Sequence, residues 1–333
     1  MSESSSPLNE SAQAQTLSSL TAEVAKGCTE APAMPKVSWW MQMATFLVIV
    51  VPFLGIVAAP FLMRGWGFRW LDLILLVSMY LLTALGITVG YHRLFTHRSF
   101  ETYLWVKAIL AILGSMALEG PLLKWVAMHR RHHQHSDTPS DPHTPHHHGS
   151  GWAGLLKGLW HAHVGWLFFP EPPDWQSYVK DLHKSATLCW ISRLFLVWAV
   201  LGLALPAVVG GLVSGSWAGA CTGFLWGGLV RVFLVHHVTW SVNSACHLWG
   251  WQPFRSEDQS RDNPVLGVLA LGEGWHATHH AFPTSARHGL RWWQLDLSYY
   301  VIRFLSWLRL AWNIRLPSQE SVERARQIEA GEG

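Results

Sequence analysis

Charge is scarce in this 333-residue chain. Asp, Glu, Lys and Arg together make up 14% of it, while hydrophobic residues make up 50%. Ordinary soluble domains carry roughly 25% charge. The deficit argues against a large soluble protein with a rich core, because several apolar runs exceed what a soluble helix needs. Cysteine is sparse too. Cys28, Cys189, Cys221 and Cys246 show no paired spacing, which sets aside a disulfide framework and a thiolate metal site. Lys and Arg form no stripe, so nucleic acid is not an expected partner. No basic segment precedes an apolar core near the N-terminus, so no signal peptide is expected. HExxH is absent, as are any flavin or dinucleotide fingerprint, a fused cytochrome b5 segment and an internal repeat.

The apolar runs come in two pairs. They predict an all-α integral membrane protein with four transmembrane helices at about 43–63, 71–91, 193–213 and 217–237. A shorter apolar stretch, about 104–118, is too short to span and is expected as an interfacial or re-entrant helix. A Trp-rich amphipathic stretch from Leu290 to Trp312 is expected on the membrane surface. The 22 tryptophans fit a lipid–water boundary. Residues 1–36 read as a weakly ordered tail, 37–316 as the membrane domain and 317–333 as a charged C-terminal tail. Four spans place both termini on one side with the polar segments 119–185 and 236–316. The bias of Lys and Arg makes that side cytoplasmic.

Nine of the 20 histidines fall in short clusters beside these runs. His92 and His97 are five residues apart. On a regular helix they point about 140° apart, so a helix end or distortion must help them converge. His129, His132 and His133 form an HxxHH pattern whose members share a helix face, and His276, His279 and His280 repeat it. His247 follows the fourth run, four residues after Asn243, whose amide can hold a metal-bound water. Nine imidazoles exceed one ion's coordination number and suit two ions. Imidazole serves Zn, Cu, Fe and Ni alike, so the ligand type selects no metal. A two-metal site beside lipid, with no hydrolytic nucleophile, favours redox chemistry with O₂. His143 and His146 to His148 lie in a Pro-rich loop and read as a solvated, adventitious tract. Asp137 and Asp141 are candidates to orient ligands, as are His135, His161, His163, His183, His236, His237 and His288.

The stretches Gly90-Tyr-His-Arg-Leu-Phe-Thr-His97, His129-Arg-Arg-His-His133, Asp141-Pro-His143, His163-Val-Gly-Trp166, Thr239-Trp-Ser-Val-Asn243-Ser-Ala-Cys-His247 and Gly272-Glu-Gly-Trp-His276-Ala-Thr-His-His280 closely resemble the membrane fatty acyl desaturases of the Δ9 or stearoyl-CoA type. They run in family order over roughly residues 40–310. The resemblance implies four transmembrane helices under a cytosolic helical cap, with two iron ions held by the nine histidines and reached by Asn243 through water. It implies O₂ as co-substrate and insertion of a cis double bond, at Δ9, into an acyl chain. It assigns Thr239, Trp240, Trp125 and Glu119 to substrate contact at a bend in an apolar tunnel.

Two departures stand out. Ala127, Pro170 and Glu171 fall where basic residues hold a CoA head group in animal members, and Glu119 stands where relatives often carry Gln. The carrier is therefore open among CoA, lipid and acyl carrier protein. Electrons must come from an external donor of ferredoxin, rubredoxin or cytochrome b5 type. The intervening polar sequence has a bacterial style, which implies a bacterial inner membrane. One rival is a fatty acyl or alkyl hydroxylase on the same scaffold. Another, of a different class, is a membrane metal transporter or store, which would need polar residues along the spans; these offer little beyond Asp72 and Arg231.

Overall fold

The computed structural model describes the backbone of residues 37–254 and 256–330; the expected tail at 1–36 lies outside the described residues. Helix α1 (Trp39–Trp66) starts at Ser38, whose side chain accepts from Met41 N–H, and it carries Pro52 and Pro60 internally. Helix α2 (Trp70–Leu85) begins with Asp72 Oδ2 accepting the Arg69 N–H at 2.9 Å. This capping role accounts for a carboxylate inside an apolar run. From Gly86 to Thr96, α2 continues as a wider π-helical coil.

A short strand β1 (Glu101–Thr102) leads into α3 (Leu104–Ser115). The expected helix over 104–118 ends sooner, because Ala117 and Leu118 N–H fold back three residues and Leu118 and Gly120 take positive φ. Leu104, Trp105 and Ile109 of α3 are exposed, whereas Val106, Leu110 and Gly114 are buried. The buried face meets the π segment at a glycine pair: a Cβ on Gly86 would lie 2.2 Å from Gly114 N. Such close backbone approach requires small residues.

Helices α4 (Leu122–His135) and α5 (Gly151–His163) lie in the first polar segment, and α6 (Ala186–Arg193) follows it. The second helix pair is α7 (Phe195–Ser214) and α8 (Trp217–Gly223). A second π segment, Phe224–Val230, joins α8 to α9 (Arg231–Ser244), and a last turn at Ala245–His247 follows. These pack through small residues; a Cβ on Gly210 would lie 2.3 Å from Gly219 O. Then come α10 (Pro264–Leu269), α11 (His276–Ala281) and α12 (Leu297–Trp307). Strand β2 (Ala311–Trp312) pairs antiparallel with β1, Glu101 opposite Trp312, which ties the end of α12 to the start of α3. Trp292, Trp307 and Phe304 around α12 are exposed. Helix α13 (Gln319–Ala330) gives the charged C-terminal tail regular structure.

Among the described residues, four helices are long and apolar enough to cross a membrane: Trp39–Trp66, Trp70–Thr96, Phe195–Ser214 and Trp217–His247. Large apolar side chains such as Phe61, Ile74, Leu196 and Leu212 point outward from them. In a lipid solvent such faces carry no penalty, while every backbone group must be satisfied within the helices.

Candidate metal centre

The π segment explains how His92 and His97 converge. His97 N–H donates to His92 O at 3.1 Å, an i→i+5 bond. A wide turn closed in this way brings residues five apart onto one side, and the two rings are 4.8 Å apart. On α4, His129, His132 and His133 share the inward face. Helix α11 presents His276, His279 and His280. Asp262 positions it by accepting the Thr278 N–H at 3.0 Å and the Thr278 hydroxyl at 2.9 Å.

All nine clustered histidines meet, and they divide into two groups. His92, His97, His129, His133 and His279 form one; His132, His247, His276 and His280 form the other; within each, the candidate ligand atoms lie within 4.8 Å of one another. Facing Nε2 atoms are 3.0 Å apart for His92 and His279, 2.9 Å for His133 and His279, 3.0 Å for His247 and His276, and 3.1 Å for His276 and His280. Metal–imidazole bonds of about 2.1 Å at right angles would put neighbouring nitrogens about 3.0 Å apart.

The outer nitrogens decide the tautomers. His132 Nδ1 lies 3.0 Å from Asp141, His247 Nδ1 2.8 Å from Asp137 and His280 Nδ1 2.6 Å from Asp258. His92 Nδ1 faces Glu273. An ionised carboxylate only accepts, so each Nδ1 carries the proton and each Nε2 turns a bare lone pair inward. In the four-histidine group the lone pairs of His247 and His280 then both face His276 Nε2, which can offer one N–H at most, and that of His132 faces the bare Nε2 of His280 at 3.4 Å. A shared cation removes that conflict. His97 Nε2 is buried without a hydrogen-bond partner, a cost of about 1–3 kcal/mol that coordination would relieve. The two groups are therefore able to hold metal ions.

Protonation favours the same state. Burial first, then neighbouring imidazoles, pushes His97, His129, His133, His276 and His279 well below the usual histidine range. Burial pulls His280 down to about 4 despite its bond to Asp258. On the acids, burial works upward but is outweighed. The His247 hydrogen bond and charge hold Asp137 at about 2. Asp141, beside His132 and His143, Asp258, beside His280, and Glu273, beside His92 and Arg93, are likewise held below the ordinary carboxylate range.

Asp258 and Glu273 were not singled out by the sequence reading. Glu273 sits three residues before His276, inside a quoted motif, but nothing local ties it to His92. His143 corrects the expectation of a solvated tract. It is 3% exposed, its N–H donates to Asp141 Oδ1 at 3.1 Å and its ring packs 4.3 Å from His132. His146 and His148 are partly buried and His147 is exposed, and their rings bond backbone carbonyls. His288 is buried, with its ring 4.3 Å from His279 and Nδ1 3.2 Å from Glu273.

Asn243 lies on the last turn of α9, partly buried. Trp125 stacks on His129 with ring centroids 5.1 Å apart, and its indole N–H donates to Glu119 Oε2 at 3.1 Å. Burial pushes the Glu119 carboxyl up to about 7, against the pull of the Thr239 hydroxyl and the Trp125 indole. Glu119, Trp125 and Thr239 thus form one cluster. Trp240 is buried one step away, its ring tilted against His236 with centroids 4.7 Å apart. Glu171 is paired to Lys124 at 2.6 Å, so its charge is largely neutralised in place.

A histidine cage able to hold metal ions, set at the ends of helices apolar enough to cross a membrane, marks out a class of protein, and comparison with known proteins narrows it. The model of the fatty acid desaturase family matches residues 68–305, and the chain belongs to that family. It is 44% identical over 286 residues to a hex-5-enoyl-(acyl-carrier protein) acetylenase of Moorena producens, covering 85% of this chain and 89% of that protein. It is 36% identical over 301 residues to a chloroplastic palmitoyl-monogalactosyldiacylglycerol delta-7 desaturase of Arabidopsis thaliana, covering 87% and 74%. It is 36% identical over 291 residues to an sn-1 stearoyl-lipid 9-desaturase of Anabaena variabilis, covering 86% and 97%.

Proposed function

We propose that this membrane oxidoreductase is an oxygen-dependent fatty acyl desaturase that places a cis double bond, at Δ9, in a saturated chain carried on lipid, CoA or acyl carrier protein. The observation that carries the reading is the convergence of nine imidazoles in groups of five and four at the ends of apolar helices. Iron is the metal proposed for both groups, with Asn243 contributing through water. Bound iron would supply the oxidant that takes hydrogen from an unactivated methylene. The balance is one saturated C–C unit, O₂, two electrons and two protons giving one alkene and two waters. The electrons come from an external ferredoxin, rubredoxin or cytochrome b5 type donor.

The chain's own residues prepare that chemistry. Asp137, Asp141, Asp258 and Glu273 hold the Nδ1 protons of His247, His132, His280 and His92, so the inward nitrogens stay basic. Trp125 and Thr239, with Glu119, hold the acyl chain beside the five-histidine group, and Trp240 lies further along. Positioning then decides which C–H pair reacts. The charged groups of the spans favour this over transport: Asp72 caps α2 and Arg231 bonds backbone carbonyls. The polar side and both termini are proposed to face the cytoplasm, with the spans in a bacterial inner membrane.

Expression in a desaturase-deficient host, followed by double-bond mapping of its fatty acids, tests the reading. New cis alkenes at one position are expected. Alcohols would transfer the assignment to a hydroxylase, and alkynes to an acetylenase. An unchanged profile, with the purified protein given each carrier and a reduced donor, would refute it.

A further inference from the structure

Arg231 is a fully buried guanidinium within the fourth spanning helix, and among the described residues it makes no ion pair. Each of its nitrogens instead meets a carbonyl at a helix defect or a helix end. Nη2 donates at 2.6 Å to Gly202 O. Pro206, four residues on in α7, has no N–H to give that oxygen. Nε donates at 3.1 Å to Gly227 O, bypassed where Arg231 N–H bonds Gly228 and Trp226 across the π segment. Nη1 donates at 2.8 Å to Met116 O, at the end of α3. His236 Nε2 takes the next carbonyl, Ala117 O, at 2.9 Å.

The turn so pinned is strained and leads to the metal groups. Leu118 (φ 65°) and Gly120 (φ 110°) bracket Glu119. Glu119 then holds the indole of Trp125, which stacks on His129. A charge within a membrane span is costly and marks a function by default. Satisfying Gly202 and Gly227 alone would be a structural service. The bond to Met116 O joins that service to the cluster beside the metal site.

We propose that Arg231, with His236, is a positioning residue: it fixes the depth of the 116–120 turn, and so of Glu119 and Trp125, and thereby sets which carbon pair of the acyl chain is oxidised. This rests on the desaturase reading above. The two halves of the role are separable. Pro206→Ala returns an N–H to Gly202 O and repairs the α7 contact, but it does nothing for Met116 O.

The test compares the full-length parent, R231M and the double variant P206A/R231M in a desaturase-deficient host, using its own saturated fatty acids as probes. Double-bond position is mapped, and metal content and thermal unfolding are measured on purified protein. R231M is expected to keep parental metal content, lose roughly ten- to hundredfold of product formation and spread the double bond over neighbouring positions. P206A/R231M is expected to regain thermal stability without regaining the single position. A parental product position in R231M, or recovery of position and stability together in the double variant, would overturn the proposal. If R231M cannot be purified, R231K is read by the same criteria, since one ammonium cannot reach all three carbonyls in fork geometry. Absence of alkene from the parent itself would instead sink the desaturase reading on which the proposal rests.

Discussion

Asp137→Asn isolates the contribution of one carboxylate to metal retention. Asp137 Oδ2 accepts from His247 Nδ1 at 2.8 Å and from Gln259 N–H at 2.8 Å, and Oδ1 accepts the Thr144 hydroxyl at 2.9 Å. An asparagine can keep its oxygen toward His247 and Gln259 and turn its amide toward Thr144, whose hydroxyl can also accept. Its backbone, at φ 56°, suits asparagine as well as aspartate. The substitution therefore removes charge and little else. A hydrogen bond to a charged group contributes about 1.5–3 kcal/mol and a neutral one about 0.5–1.5. The difference, about 1–1.5 kcal/mol, is roughly tenfold in affinity, at the lower end of what losing a ligand's outer partner costs. Chelator competition on purified protein measures it, with Asp174→Asn, an exposed partner of Arg131, as control. A curve for Asp137→Asn that overlays the parent would refute the claim that the outer carboxylates hold the imidazoles in their metal-binding tautomer.

Other substitutions test the remaining links. Asp181 is held at about 2, because Arg130 and Arg98 outweigh its burial. Its stabilisation is thus present above the unfolded value of 3.8 and is lost as pH falls through about 2. Asp181→Asn should unfold earlier than the parent at neutral pH, and the gap should close in acid denaturation curves. Glu119 is shifted the other way, to about 7 from 4.5. The folded carboxyl binds its proton more tightly, so stability declines as pH rises between those values and is flat above them. Glu119→Gln should remove that slope in melting curves taken across the interval; an unchanged slope would dismiss the buried acid as its source. Gly86→Val would drive a Cβ to within 2.2 Å of Gly114 N, whereas a Cβ at Gly65 meets nothing within 4 Å. The first should abolish recovery of folded protein from membranes, and Gly65→Ala should not.

What the sequence made legible was the part with local periodicity. Two HxxHH patterns on helices specify their own inward faces, and the five-residue gap between His92 and His97 demanded a distortion that the π segment supplies. Asp137 and Asp141 were legible as partners because they lie close to the second cluster in sequence. Asp258 and Glu273 were hidden because their pairings are long-range: Asp258 reaches His280 from an irregular segment, and Glu273 reaches His92 from near the other end of the chain. His143 was misread because a Pro-rich composition masks a turn built on Asp141, which takes both the His132 ring and the His143 N–H. Arg231 was visible as a charge in a span. Its meaning depends on a proline in α7 and on the end of α3, which no reading of its neighbours in sequence supplies.

Metal analysis of purified protein, set beside its alkene output under O₂ with a reduced donor, tests the central claim most directly. The account predicts two irons per chain, with His97→Ala and His276→Ala each lowering the iron content from opposite groups and each abolishing alkene formation. Full iron content and undiminished alkene in both variants would contradict it, as would an active parent that holds no iron.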